Sequence, residues 1–244
     1  MKPVHFLSNS PQIDNIVKGF TLTKSLFVSS ILIGEAHTGK KTLIKTLFPQ
    51  AIYVDGANQD AVYQALENNN EIIIYNFHKV ANFELLNFEH KRIIAITDHL
   101  GNALKIDKKF AFIYHMPNIE EREDKLELIE YFTKKIQERL ILENEIEIDP
   151  TKLDLTDNIK SLCASLHKEL LIKTYQKKDI EEILFHYIHN KIEGNNAYRE
   201  LLPLFEKPLI RAGLDKFKSQ LKLSSILGLN RNTLRKKMQE NELD

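Results

Sequence analysis

Gly34-Glu35-Ala36-His37-Thr38-Gly39-Lys40-Lys41-Thr42 is the stretch on which the reading of the fold turns. It fits the spacing GxxxxGK and lies between an apolar run at 27–33 and a segment of helical pattern at 40–48. In a strand–loop–helix setting the glycines let backbone N–H groups face inward, and the helix dipole adds positive potential where a phosphate would sit. Lys40 is the side chain that reaches toward the outer phosphates. The residue after that lysine is usually Ser or Thr; here it is Lys41, with Thr42 one place later. A tight turn with no ligand is the alternative reading of the same residues.

The pattern around this loop is that of alternating strands and helices. Residues 11–24 have helical spacing, 51–54 form a short strand, and 60–69 form another helix. Isoleucine-rich runs at 71–75 and 91–97 read as strands, and 110–115 as a fifth, ended by Pro117. Continuous apolar strands between helices predict a parallel sheet covered on both faces. After Pro117 the strand signals stop. Residues 119–142 have helical spacing, with Leu126, Ile129, Phe132, Thr133 and Ile136 on one face. Asp149-Pro150-Thr151 breaks the pattern, 156–175 and 179–192 read as two helices, and Glu193-Gly194-Asn195-Asn196 reads as a linker. There is no internal repeat or low-complexity tract.

At 244 residues, 43% of them hydrophobic, the chain is long enough for one large domain or two modest ones. Its 34 basic and 34 acidic residues balance, but not locally. Between Lys216 and Gln239 there are seven basic residues and no acidic one, which leaves 27 basic against 34 acidic, a net of −7, elsewhere. A basic terminal module on an acidic body is the footprint of phosphate binding. A single cysteine, Cys163, excludes an internal disulfide and fits a reducing compartment; it reads as a small buried apolar residue. No signal-peptide pattern opens the chain, and no apolar run approaches the ~20 residues that span a bilayer, so a cytoplasmic protein is expected.

The basic module has its own pattern. Apolar Leu201, Leu202, Phe205, Leu209, Ala212, Leu214 and Phe217 recur at helical spacing across 198–217, with Pro203 and Pro208 as kinks or breaks. A short helix at 219–227, the turn Gly228-Leu229-Asn230, and a helix at 231–241 capped by Asn230 complete a helix-turn-helix. Ile226, Leu229 and Leu234 are expected in its core, and small Ser224 at a close helix crossing. Arg231, Asn232, Thr233, Arg235, Lys236 and Lys237 are left to face outward. Arginines there can reach guanine edges or phosphates; Thr233 and Lys236 suit phosphates. A solvated basic helix end is the alternative.

Two resemblances sharpen these readings. Glu206-Lys207-Pro208-Leu209-Ile210 resembles the ExPLI of the Fis domain's long helix, and residues 226–237, from Ile226-Leu227-Gly228 to Arg235-Lys236-Lys237, resemble its ILGINRNTLRKK. The resemblance implies double-stranded DNA as partner, contacts through Asn230, Arg231, Asn232, Thr233, Arg235, Lys236 and Lys237, and a homodimer formed through this domain. Residues 34–40 resemble the GESGTGK of the AAA+ domain of NtrC-type sigma-54-dependent enhancer-binding proteins. Pro117-Asn118-Ile119-Glu120-Glu121-Arg122 resembles that family's PPLRER, and Asn158-Ile159-Lys160-Ser161-Leu162 its GNVREL. The fold implied is an α/β, AAA+-like P-loop parallel sheet with a helical lid, followed by an all-α Fis-type helix-turn-helix. The boundaries are 1–117, 118–193 and 196–244. A nucleotide, ATP or ADP, would lie on Gly34, Glu35, Ala36, His37, Thr38, Gly39, Lys40, Lys41 and Thr42.

The departures from that family point away from hydrolysis. Where the family has the acids of LDE after a strand, Ile72-Ile73-Ile74-Tyr75 is followed by Asn76 and Phe77. The aspartate holds magnesium's shell and the glutamate prepares water. Lys160 replaces the second-sensor arginine, and the arginine-finger stretch is shortened to 105–110, with lysines and no arginine. The GAFTGA loop that touches sigma-54 is missing between 54 and 71. The expectation is a DNA-binding regulator without ATPase activity, catalytic residues or sigma-54 contact. Its rivals are an active ATPase activator and a non-enzymatic partner of another regulator. No metal site is expected: His186 and His189 lack partner ligands, and His78 has no nucleophile beside it. The acidic run 120–130 is interleaved with lysines and reads as a solvated helix face.

Overall fold

The structure is a computed structural model and describes residues 9–99, 108–142 and 146–243. The chain divides into two compact units, Met1–Thr174 and Tyr175–Asp244.

In the first unit, five parallel strands form one sheet: β1 (Ser30–Ile33), β2 (Ile52–Asp55), β3 (Glu71–Tyr75), β4 (Arg92–Thr97) and β5 (Phe112–His115), in the order β2-β3-β4-β1-β5. The side-chain period of two sends alternate residues to opposite faces. Ile31, Ile33, Ile72, Ile74, Ile93 and Ala95 join one core with helix α3 (Gln59–Asn68). Leu32, Ile73, Ile94 and Ile96 join the other with helices α1 (Pro11–Thr23) and α2 (Lys40–Leu47). Both faces are thus covered, as the apolar runs require. The first strand starts later than its apolar run. Phe27 has φ of 52° and is exposed, and Leu26 N–H closes a turn on the Thr23 carbonyl. Ladder pairing begins at Ser30 with Ile94.

Beyond β5 the single expected helix at 119–142 is two elements. Asn118 and Glu121 cap a 3-10 turn, Ile119–Glu121, and helix α4 (Lys125–Arg139) follows. Arg122 interrupts them by turning back on Asp124, with two N–H···O bonds of 2.8 and 2.6 Å inside the protein. The apolar face is accordingly Leu128, Ile129 and Ile136, with Phe132 partly buried, while Leu126 is 57% exposed. Ile119, Ile129 and Ile136 pack on Leu162, Leu166 and Leu170 of helix α5 (Asn158–Thr174).

The second unit is helical: α6 (Lys177–His189), α7 (Ala197–Leu201), α8 (Pro203–Phe217), α9 (Gln220–Ile226) and α10 (Arg231–Glu240). Helix α6, grouped with the lid on sequence grounds, belongs to this unit by compactness, and Glu193–Asn196 is a turn within it. Pro203 stands in the first turn of α8, where its missing N–H has no partner to lose, and Pro208 lies inside the helix. The core is Ile210, Leu223, Leu234 and Met238, with Leu214, Phe217, Leu227 and Leu243 against it. Two expectations fail here. Ile226, at the end of α9, is 53% exposed, and Leu229 in the turn is only partly buried and outside the cluster. Met238, one turn beyond Leu234, completes the core instead. Phe205, at 62%, and Leu209 on α8 are also exposed, whereas Ile210 and Gly213 are the residues α8 buries.

Candidate functional site

Parallel strands deliver their following residues to one edge of the sheet, the edge where open α/β folds bind ligands. Gly34 to Gly39 lie there, between β1 and α2. Because Ile33 is in register with Thr97, Asp98 comes out beside the loop, and Gly34 N–H donates to the Thr97 carbonyl at 3.3 Å. Gly34 has no room for a side chain: a Cβ would stand 2.6 Å from the Met116 carbonyl oxygen. His37 takes φ of 61° and Gly39 φ of 96°, left-handed conformations that open the loop toward α2. His37 stands where the resemblance has glycine, and its exposed ring points at Asp157, Nε2 to Oδ1 3.9 Å.

The loop encloses a cleft of about 550 Å³ lined by residues 36–42, Asn76, Ile96, Asp98, Ile159, Lys160 and Cys163. Lys40 is 5% exposed. Its ammonium donates to the carbonyls of Gly34, at 2.6 Å, and of Glu35, and pairs with Asp98 Oδ1 at 3.0 Å. Burial pulls its pKa below the ordinary lysine value, and the hydrogen bond and charge of Asp98 oppose that shift. Asp98 is the one carboxylate among the described residues that line the cleft. Lys41, also lowered by burial, lies over the Tyr75 ring, 3.4 Å from its centroid, within the fields of Asp55 and Asp98. Asp55, at the end of β2, is held below the usual carboxylate range, first by the Ala57 N–H and then by the Asn76 amide, which donates to it at 2.9 Å.

The two residues in the place of acids behave differently. Asn76 lines the cleft with φ of 52°. Phe77 turns away from it; 3% exposed, it packs its ring 5.5 Å from Phe83 and 5.3 Å from Phe110. A divalent cation finds poor ligands here. Lys41 replaces a hydroxyl, Asn76 donates its Nδ2 to Asp55 and offers only a neutral amide oxygen, Phe77 is in the core, and the Asp98 carboxylate is on Lys40. The residues present do not fit a magnesium site. Of the shortened arginine-finger stretch, 105–107 lie outside the described residues, and Lys109 donates to the Leu86 carbonyl at 2.7 Å. Lys160 pairs with Asp157 at 2.8 Å. Cys163 lines the cleft, its thiol pushed up by burial.

The start of α5 is tied to the loop. Asn158 donates through Nδ2 to the Ala36 carbonyl at 3.1 Å and to Glu35 Oε2 at 3.2 Å, and accepts from Ile119 N–H at 3.0 Å. Ile159 N–H donates to the His37 carbonyl at 3.1 Å. Sequence reasoning gave no role to Asp98, Asp55 or Asn158. Asn158 fell inside a family-like stretch, but Asp98 and Asp55 carry no motif and are placed only by strand register.

In the second unit, Gly228 at φ of 65° turns the chain between α9 and α10, with Leu229 N–H on the Ser224 carbonyl at 2.9 Å. Asn230 caps α10 through its side chain, which accepts from Thr233 N–H at 2.8 Å. Helix α10 then exposes Arg231, Asn232, Arg235 and Lys236, with Thr233 half-buried. Lys237 is apart from these: it is half-buried and paired with Glu206 of α8. Ser224 of α9 is buried as expected, and α8 and α9 approach closely, since a Cβ on Gly213 would overlap the Leu223 side chain. No described helix is long and apolar enough to cross a membrane.

Residues 201–240 match the Fis family of bacterial regulatory proteins. NtrX from Brucella abortus is similar in fold. Its complex with ADP gives a TM-score of 0.53 at 12% identity, over 98% of this chain and 70% of NtrX. Its complex with ATP gives 0.51 at 12%, over the same shares. A further NtrX structure gives 0.51 at 11%, over 97% and 69%. No curated protein sequence matches. The chain therefore carries a Fis-type helix-turn-helix at its C-terminal end, preceded in sequence by an α/β body whose parallel-sheet fold is similar to that of NtrX.

Proposed function

We propose that this chain is a DNA-binding transcription regulator whose α/β body binds ATP or ADP without hydrolysing it. The observation that carries the reading is α10, which lies within the Fis-family match and exposes Arg231, Arg235 and Lys236, the last paired at 3.8 Å with the exposed Glu240. Such a helix enters the major groove, with arginines on base edges and lysines on phosphates. Binding should fall steeply with salt, because phosphate contacts release counterions. Genome-wide footprinting, followed by titration of a recovered site at several salt concentrations, tests this; affinity indifferent to both sequence and salt would overturn it.

The exposed Phe205 and Leu209 of α8 support a homodimer formed through the Fis-type domain. The nucleotide reading is supported by the loop, by Lys40 in a cleft of adequate size, and by the ATP and ADP complexes of NtrX. Its separation from hydrolysis rests on Asn76 and Phe77. Between β2 and β3 only residues 56–70 intervene, ten of them in α3, which leaves no long insertion to reach a sigma factor. We therefore expect no opening of promoters by sigma-54 polymerase, with or without ATP. The working boundaries by function are 1–117 for the sheet, 118–193 for the lid, although its last helix α6 groups by compactness with the second unit, and 196–244 for the DNA-binding domain, and the compartment is the cytoplasm.

A further inference from the structure

We infer that Lys41 takes the place of the divalent cation at this loop, so that the cleft binds the polyphosphate of a nucleotide as a free anion with Lys40 and Lys41 as its counter-ions. The inference rests on the nucleotide reading above and names the charge state of the ligand.

In phosphate loops of this spacing two protein groups hold magnesium: the hydroxyl after the loop lysine, and an aspartate at the end of a neighbouring strand. Both are changed here. The hydroxyl position is Lys41 and the aspartate position is Asn76. A neutral group has become a cation and an anion has become neutral. At the two metal-holding positions these changes add two units of positive charge, the charge of the ion whose ligands are gone, and Phe77 in the place of a glutamate removes one further negative charge. The two changes also meet in space. Lys41 lies on the ring of Tyr75, the residue before Asn76, and Asn76 in turn donates to Asp55, which draws on Lys41. A metal added to this site would face an ammonium where it needs an oxygen.

Lys41 lines the same cleft as Lys40, and Asp98 acts on both. Asp98 now occupies Lys40 at 3.0 Å. An entering phosphate must displace that carboxylate and then lies beside it. Lys41, a second lysine lining the same cleft, offsets the repulsion with no added ion.

Calorimetry on the full chain tests this, with sodium ATP in EDTA and with ATP in excess magnesium chloride. The wild type should bind ATP at least about tenfold more tightly in EDTA, the difference one charge-assisted contact makes. The double variant Lys41→Ser, Asn76→Asp puts back both metal ligands and should reverse the order. Circular dichroism and a nucleotide-dependent rise in melting temperature establish that each variant is folded. Tighter binding with magnesium by the wild type, or an unreversed order in the variant, overturns the inference and leaves nucleotide binding standing. No heat and no thermal shift from wild type in either buffer overturns both.

Discussion

Lys237 on α10 closes an ion pair with Glu206 on α8, while Arg231 and Arg235 on the same helix have their side chains in solvent. The basic residues of α10 are therefore not equivalent, and substitution separates them. Arg231→Ala and Arg235→Ala should each weaken DNA binding by about 1–3 kcal/mol and relax sequence preference where a base contact is lost. Lys237→Ala should act first on stability, costing about 1 kcal/mol for a half-buried pair with little loss of DNA discrimination. Fluorescence anisotropy against cognate and scrambled duplexes distinguishes the two classes. Equal loss of discrimination in all three variants would mean that Lys237 leaves Glu206 for the DNA.

Putting a glutamate at position 77 should not restore ATP turnover. Phe77 sits against Phe83 and Phe110, away from the cleft. Phe77→Glu buries a carboxylate with no partner, a change that costs several kcal/mol. We expect a much lower melting temperature and phosphate release at background, also with Asn76→Asp added. Turnover from the double variant would show that strand end able to turn its side chain outward.

Gly213→Ala should destabilise the helix-turn-helix by up to about 2 kcal/mol. Alanine favours a helix over glycine by about 1 kcal/mol. Overpacking costs about 1–3 kcal/mol, and the methyl would fall on Leu223, which is itself core. Hydrogen exchange of the α9 amides reads the outcome: faster exchange is expected, and slower exchange would mean that Leu223 yields without cost.

His78 makes the first unit sensitive to mild acid. Burial, then the neighbouring ring of His99 at 4.8 Å, pulls its pKa below 6.5. The unfolded chain thus takes up the proton first, and the contribution of the neutral ring is lost as pH falls from about 6.5 through the folded value. Melting temperatures at pH 7.5 and 5.5 should differ more for wild type than for His78→Gln. An equal fall in both would place the acid sensitivity elsewhere.

Most of the fold was legible because its signals are local. The predicted run 71–75 coincides with β3, and the Asn230 cap was readable from one side chain before a basic helix. The errors arose where side chains choose between partners that periodicity does not distinguish. Leu126 and Ile226 are apolar at plausible spacing, yet α4 turns Leu128 inward, and Leu223 with Met238 fills the space assigned to Ile226. The loop itself was readable, but its electrostatics were not. Asp98 meets Lys40 only because β4 runs beside β1 in one register, a long-range pairing that no short motif encodes.

The stitching of the loop to α5 has a mechanical consequence. Carbonyls of Ala36 and His37 are held by the first two residues of a helix of 17, about 25 Å long. Any adjustment of the loop around a guest is delivered to the short end of that rod. A pivot of ~10° there sweeps its far end, near Thr174, through ~4 Å, by the helix's length alone. The loop thus holds the short arm of a lever whose gain is set by the length of the helix.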